Sequence, residues 1–144
     1  MTRSSNKTPV HLWTIGILSL LWNAFGAFDY TATQYRIESY VSQFTPEQLD
    51  YFYAFPAWVD AAWAVGVWGS LLGSIFLLLR KSFSVWLFGV AILGLAGTSV
   101  YTFLLSNGAA MMSDGDVTFT AIIWAIALFL YFYASAMITR RVLG

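Results

Sequence analysis

Hydrophobic residues fall into four long runs, separated by segments in which charged and turn-forming residues concentrate. The helices that these runs predict span residues of about 10–34, 54–79, 83–105 and 117–138. Each run approaches or exceeds the ~20 residues that an α-helix needs to cross the hydrocarbon core of a bilayer. Only helices and closed barrels satisfy all their backbone hydrogen bonds in lipid, and barrels need short alternating strands. The pattern therefore predicts an all-α membrane protein with four transmembrane helices in one domain, residues 1–144.

The polar segment between the first two runs predicts a short additional helix. Residues 45–48 have the form of a capping box, in which the side chains of Thr45 and Gln48 each bond to the other's backbone N–H. Pro46 suits the first helical position, where an N–H group is not needed. We expect a short helix that begins at this point and lies on the outer surface of the membrane.

The basic residues predict how the helices are oriented. At one end of the four predicted helices lie Arg3, Lys7, Arg80, Lys81, Arg140 and Arg141. At the opposite end lie Glu38, Glu47, Asp50, Asp114 and Asp116, with Arg36 as the only basic residue. Cytoplasmic loops carry an excess of Lys and Arg, so this segregation places both termini and the 80–82 hairpin in the cytoplasm.

Composition narrows the class of protein further. Of the 144 residues, 59% are hydrophobic and 10% are charged, against roughly one quarter charged in soluble domains, so membrane lipid is the expected surrounding. The formal net charge is zero, which gives no basic surface for nucleic acid. The chain has no cysteine and one histidine, His11, which excludes disulfides, thiolate metal sites and haem held by two histidines. We expect no metal and no cofactor.

Two aspartates within or beside the predicted spans are the strongest candidates for function. Asp60 lies one turn inside the second span and Asp29 lies near the outer end of the first, so both carboxylates have a similar depth. An acidic side chain in a membrane span is costly and suggests a functional site. The alternative is that both are interfacial caps wetted by lipid headgroups.

Other polar groups reach the same layer from several helices. The residues that we expect to bind a ligand in a polar pocket of the outer leaflet are Asn23, Asp29, Tyr30, Thr33, Asp60 and Tyr101. The alternative is that these side chains form inter-helix hydrogen bonds, each worth ~0.6 kcal/mol, that hold the bundle together.

Small residues along the second helix predict close helix packing. Gly66, Gly69 and Gly73 fall on one face, and Gly94 and Gly97 on the third helix are their natural counterpart. Glycine lowers helix propensity but lets a neighbouring helix approach closely. The face packs either inside the bundle or against a second copy or another subunit.

Three segments carry a resemblance to a known family. They are residues 21–30 (LWNAFGAFDY), residues 44–48 (FTPEQ) and residues 55–58 (FPAW). The chain resembles, over nearly its whole length, a family of small four-helix bacterial membrane proteins that are mostly uncharacterised, some of them labelled "sugar transporter". The resemblance implies a bacterial inner-membrane protein of one fold, and it implies no role for individual residues.

These observations predict a non-enzymatic membrane protein that acts by binding. It would be an accessory subunit of a larger membrane complex or a receptor for a small or lipidic ligand. The sequence contains no nucleophile–base set, phosphate loop or metal-spaced cluster, so we do not expect an enzyme. The alternative is a small transporter of a small solute. Four helices offer little for two halves to rock around a central site, so transport would require a homo-oligomer.

Overall fold

The computed structural model describes residues 8–144, and these residues form helices and turns without a β-strand. The helices are α1 (Val10–Gln34), α2 (Glu38–Val41), α3 (Pro46–Tyr53), α4 (Ala57–Leu78), α5 (Phe83–Val100) and α6 (Asp114–Thr139). A π-helical turn, Tyr101–Leu105, continues α5, and a 3₁₀ helix, Gly108–Met111, precedes α6. Arg3 and Lys7, which contribute to the predicted orientation, lie outside the described residues.

Four of these helices are long and apolar enough to cross a membrane, as the hydrophobic pattern predicts. They are α1, α4, α5 with its π-helical turn, and α6. Only 17–28% of the residues in their apolar windows are buried inside the bundle. Most of the apolar side chains are therefore exposed or half-buried, and a surface of this kind fits a multi-pass membrane protein in which lipid covers it.

Two helices begin at positions that differ from the predicted ones. α4 begins at Ala57 rather than near residue 54, because Phe55 precedes a proline and is therefore disfavoured in helical geometry. α6 begins at Asp114 rather than near residue 117, because Ser113 caps it. The Ser113 hydroxyl accepts the Asp116 N–H (3.2 Å) and the Asp116 carboxylate accepts the Ser113 N–H (3.0 Å).

The segment between α1 and α4 contains the helix α3, which begins at Pro46. The Gln48 N–H donates to the Thr45 hydroxyl (3.2 Å) and the Thr45 N–H donates to the Gln48 side-chain oxygen (3.0 Å). α3 ends at Tyr53, three residues before Pro56, so α3 and α4 are separate helices.

The helices pack in chain order, with α1 on α4, α4 on α5 and α5 on α6. The closest approach is between α4 and α5. A Cβ atom at Gly94 would lie 2.5 Å from the Ala62 carbonyl oxygen and 2.7 Å from the Gly66 nitrogen, so only glycine fits there. A Cβ atom at Gly73 would lie 2.7 Å from the ring of Phe88. The small-residue face of α4 thus contacts α5 of the same chain.

The two ends of the bundle differ in packing. We call the end at residues 35–56 and 106–113 the cap end, and the end at residues 79–82 and 140–144 the hairpin end. The hairpin half is filled by buried side chains, which are Leu12, Leu77, Phe88, Leu130, Ala134, Met137 and Leu143. Gly144 joins this end by accepting the Ser82 N–H (3.0 Å) and donating to the Arg80 carbonyl (2.9 Å).

Candidate ligand-binding cavity

A cavity of about 730 Å³ occupies the cap half of the bundle, and all four long helices line it. On α6 the lining extends from Asp116 to Leu130, which is about 21 Å along the helix at 1.5 Å per residue. Phe88 and Leu130 belong both to the lining and to the filled hairpin half, so they form its floor. The cavity is therefore deep and closed towards the hairpin end.

Asn23 is the most deeply buried amide on the cavity wall. Its side chain is 8% exposed, and its amide nitrogen donates to the Ser70 carbonyl (3.1 Å) and to the Ser74 hydroxyl (2.7 Å). A backbone carbonyl can only accept, so the bond to Ser70 fixes which way the amide points. The Asn23 side-chain oxygen has no donor among residues 8–144, and it faces the cavity with an unused acceptor.

Asp29 lies closer to the cap end and is held by Tyr40 of α2. The Tyr40 hydroxyl donates to Oδ1 of Asp29. Burial, followed by the hydrogen bond to Asp29 and the charge of that carboxylate, raises the pKa of Tyr40 well above its ordinary value. Tyr40 therefore keeps its proton and remains the donor. Within the described part of the chain, no group donates to Oδ2 of Asp29, which also lines the cavity.

Aromatic rings from the segment between α1 and α4 cover the cavity at the cap end. The lining rings of this segment are Tyr40, Phe44, Tyr51, Phe52 and Phe55, and successive rings pack edge to face. Besides the bond from Tyr40 to Asp29, two hydrogen bonds tie the segment that carries this roof to α1 and to the end of α5. The Tyr53 hydroxyl donates to the Thr33 carbonyl (3.0 Å), and the hydroxyls of Tyr51 and Ser106 share a hydrogen bond (2.7 Å).

The six residues predicted to bind a ligand do not all reach the cavity. Asn23, Asp29 and Thr33 line it. Tyr30, Asp60 and Tyr101 are not among the lining residues. Tyr30 packs edge to face on Trp63 (4.9 Å between centroids), and Tyr101 packs in the same way on Trp58 (5.9 Å).

Asp29 and Asp60 have different partners, contrary to the idea of a shared pocket. The Gln34 side-chain nitrogen donates to Asp60 (3.2 Å), whereas Asp29 accepts from Tyr40. Asp29 and Gln34 are five residues apart on α1, so at about 100° per residue they point roughly 140° apart around the helix. The two carboxylates therefore lie on different sides of α1.

Sequence reasoning missed three residues that shape this wall. Ser70 and Ser74 lie four residues apart in the apolar run of α4, and such a pair of polar groups on one helix face is a visible signal for a partner on another helix. Tyr40 gives no such signal, because its contact with Asp29 depends on the chain turning back after α1.

The described residues of the cavity contain no grouping that would hold a metal ion. In residues 8–144, no three His, Cys, Asp or Glu side chains lie close enough together. Comparison of the chain with protein-family models, with curated proteins and with solved structures finds no match. The chemistry of the cavity is therefore what indicates the function of the protein.

Proposed function

We propose that this protein binds a small, largely apolar molecule with one polar end in the cavity of its cap half. The observation that carries this proposal is the cavity itself. Its volume of about 730 Å³ lies within the ~300–1,000 Å³ typical of ligand pockets. Its wall is mainly apolar and aromatic, with a few polar groups such as Asn23 and Asp29, and ligand pockets commonly combine these two features.

We further propose that the cap end faces the outside of a bacterial inner membrane. Arg80, Lys81, Arg140 and Arg141 cluster at the hairpin end, and the positive-inside rule assigns such an end to the cytoplasm. Both termini would then be cytoplasmic, and the cavity would lie in the outer leaflet. The resemblance to small bacterial membrane proteins supports the choice of membrane.

The ligand would enter from the bilayer between α1 and α6. Phe25 of α1 and Phe119 of α6 line the cavity and are 56% and 47% exposed, so they lie at its rim. The rings of Trp22 and Phe119 meet across this gap (5.7 Å between centroids). At the hairpin end the same two helices are joined by the hydrogen bond between His11 and Tyr133. An opening of this kind suits a molecule that is already dissolved in lipid.

The closed floor of the cavity favours a protein that binds its ligand without transporting it across the membrane. Leu12, Leu77, Phe88 and Leu130 fill the half of the bundle that a transported molecule would have to cross. A site with one entrance suits a receptor, or a subunit that presents a bound amphiphile to a larger membrane complex.

Co-purification of small molecules tests this proposal. Gly26 lines the cavity, and among residues 8–144 a Cβ atom there would meet only Val67, at 3.9 Å, so Gly26→Leu should extend its side chain into cavity space. Ala24→Leu adds the same side chain at an exposed position outside the lining. Each protein is extracted from cells in polymer nanodiscs, and its small molecules are identified by mass spectrometry.

We expect an amphiphile in near-stoichiometric amount with the wild type and with Ala24→Leu, and its loss from Gly26→Leu. The same small-molecule content in all three preparations would contradict the proposal.

A further inference from the structure

The charge of the cavity wall points to the chemical class of its ligand. Asp29 and Asp116 are the charged side chains among its lining residues, and both are acidic. No Lys, Arg or His within residues 8–144 lines it. The nearby Arg36 is turned away, because its guanidinium lies over the ring of Tyr53, 3.9 Å from the centroid. A weakly solvated site with only acidic charges attracts cations and repels anions.

Two hydrogen-bonding groups of the wall, on Asn23 and Asp29, agree with this charge. Both observed bonds of the Asn23 amide use its nitrogen, and among residues 8–144 the Asp29 carboxylate has one oxygen without a donor. Both unused groups are acceptors. An acceptor without a protein donor can take a hydrogen bond from a ligand, so the ligand that suits these two groups is one that donates.

The roof supplies a third feature that suits a cation. Tyr40 packs edge to face on Phe44 (6.0 Å between centroids) and Phe44 packs in the same way on Phe52 (5.4 Å). The faces of aromatic rings carry partial negative charge, and an ammonium group near them gains about 0.5–2 kcal/mol. Tyr40 also donates to Asp29, so the carboxylate and the rings lie side by side at the cap end.

From these three features we infer that the polar end of the ligand is a protonated amine, and that the cavity selects lipophilic organic amines over alcohols and acids of the same shape. The inference rests on the proposed function, since it names the class of molecule that the same cavity takes. The ammonium group would lie between Asp29 and the roof, and the apolar body would extend towards Phe88 and Leu130.

Three fluorescent probes with one apolar body test the inference. They are 5-(dansylamino)pentylamine, 5-(dansylamino)pentanol and 5-(dansylamino)pentanoate, which differ only in the free terminal group. We call them dansyl-pentylamine, dansyl-pentanol and dansyl-pentanoate. The protein is reconstituted in phosphatidylcholine nanodiscs at neutral pH, where the amine is charged and the lipid carries no net charge. Trp22 and Trp63 line the cavity, so energy transfer from tryptophan to dansyl reports occupancy. Empty nanodiscs correct for partition into lipid.

We expect the amine to bind about tenfold more tightly than the alcohol, and the acid to bind most weakly. Asp29→Asn should weaken binding of the amine about tenfold and leave binding of the alcohol unchanged. Gly26→Leu should weaken binding of both, because it removes space rather than charge.

The other possible results show whether the inference alone fails or the proposed function fails with it. Equal affinity for amine and alcohol, or tightest binding of the acid, would overturn the inference and leave the proposed function standing. If no probe binds saturably, both fail. The comparison of the three probes on the unaltered protein does not depend on whether Asp29→Asn folds.

Discussion

Asn23 is held by two hydrogen bonds to α4, and the strength of this link can be measured with single substitutions. A double-mutant cycle of Asn23→Ala and Ser74→Ala should give a coupling free energy of roughly 0.6 kcal/mol and at most about 1.7 kcal/mol, as for other hydrogen bonds between membrane helices. Ser84 is a matched control, since it is buried like Ser74 but its hydroxyl has no partner among residues 8–144.

The Asn23→Ala and Ser84→Ala pair should show no coupling. The measurement is reversible unfolding in mixed micelles, and equal coupling in the two cycles would show that the bond to Ser74 contributes nothing.

Tyr40 gives a prediction about pH. Its pKa is raised in the folded protein, so the stability that its neutral form contributes is fully present below the unfolded pKa of about 10 and is lost as pH rises through the folded pKa. The difference in unfolding free energy between the wild type and Tyr40→Phe should therefore stay constant from about pH 7 to 9 and change only above about pH 10. A difference in unfolding free energy that already declines between about pH 7 and 9 would contradict the contact with Asp29.

The sequence identifies Asn23 and Asp29 by residue type alone, because polar side chains are costly in an apolar run. It cannot identify their partners. Ser74 and Tyr40 lie 51 and 11 residues away from them, and the pairs form only after α4 and α2 have packed. The sequence also groups Asp60 with them, whereas Asp60 bonds to Gln34 and is not among the lining residues of the cavity, since a similar depth in the membrane does not fix the direction in which a side chain leaves its helix.

At the scale of elements, the close contact between α4 and α5 requires glycine at Gly94, which faces the backbone of the opposite helix. Gly94→Ala should destabilise the bundle by about 1–3 kcal/mol, because its Cβ would overlap the backbone of Ala62 and Gly66. Gly66→Ala is the matched control. Its Cβ would meet its neighbours at 3.6 Å or more, so the gain in helix propensity of about 0.5–1 kcal/mol should dominate.

Thermal unfolding of both variants in detergent measures the contrast. Equal effects of the two substitutions would mean that α4 and α5 do not approach closely at Gly94.

The existence of the four long helices follows from hydrophobic run length, which needs no knowledge of tertiary contacts. Helix boundaries are less predictable, because they depend on single residues. The capping box of Ser113 and Asp116 starts α6 three residues before the apolar run, and Pro56 delays the start of α4. The glycine face was visible in the sequence, but its partner was not, since a small face suits a neighbouring helix and a second chain equally well.

At the scale of the whole molecule, the bundle is divided into a filled half and a hollow half. The hairpin half is packed, and Leu143 completes its core at 5% exposure. In the cap half the four long helices surround the cavity, and aromatic rings cover the cavity at the cap end. Helix pattern alone could not predict this division, because the spacing between α1 and α6 is set by large side chains such as Trp22 and Phe119.

The central claim is that the cap half contains a cavity that lies in the outer leaflet and opens to the bilayer between α1 and α6. The chain has no cysteine, so single-cysteine variants can be labelled without background. Ala109→Cys lies exposed in the cap, Thr98→Cys lines the cavity, and Val100→Cys lies two residues further along α5 on the exposed apolar surface. Ala109→Cys is labelled in intact cells with a membrane-impermeant maleimide, and Thr98→Cys and Val100→Cys are labelled with membrane-permeant N-ethylmaleimide.

We expect Ala109→Cys to react with the impermeant reagent, and Thr98→Cys to react with N-ethylmaleimide faster than Val100→Cys, which lipid covers. Dansyl-pentylamine should slow the reaction at Thr98→Cys and leave that at Ala109→Cys unchanged. If Ala109→Cys reacts only after the cells are permeabilised, the orientation is reversed. If Ala109→Cys reacts in intact cells while Thr98→Cys is as unreactive as Val100→Cys, no open cavity exists and the account is wrong.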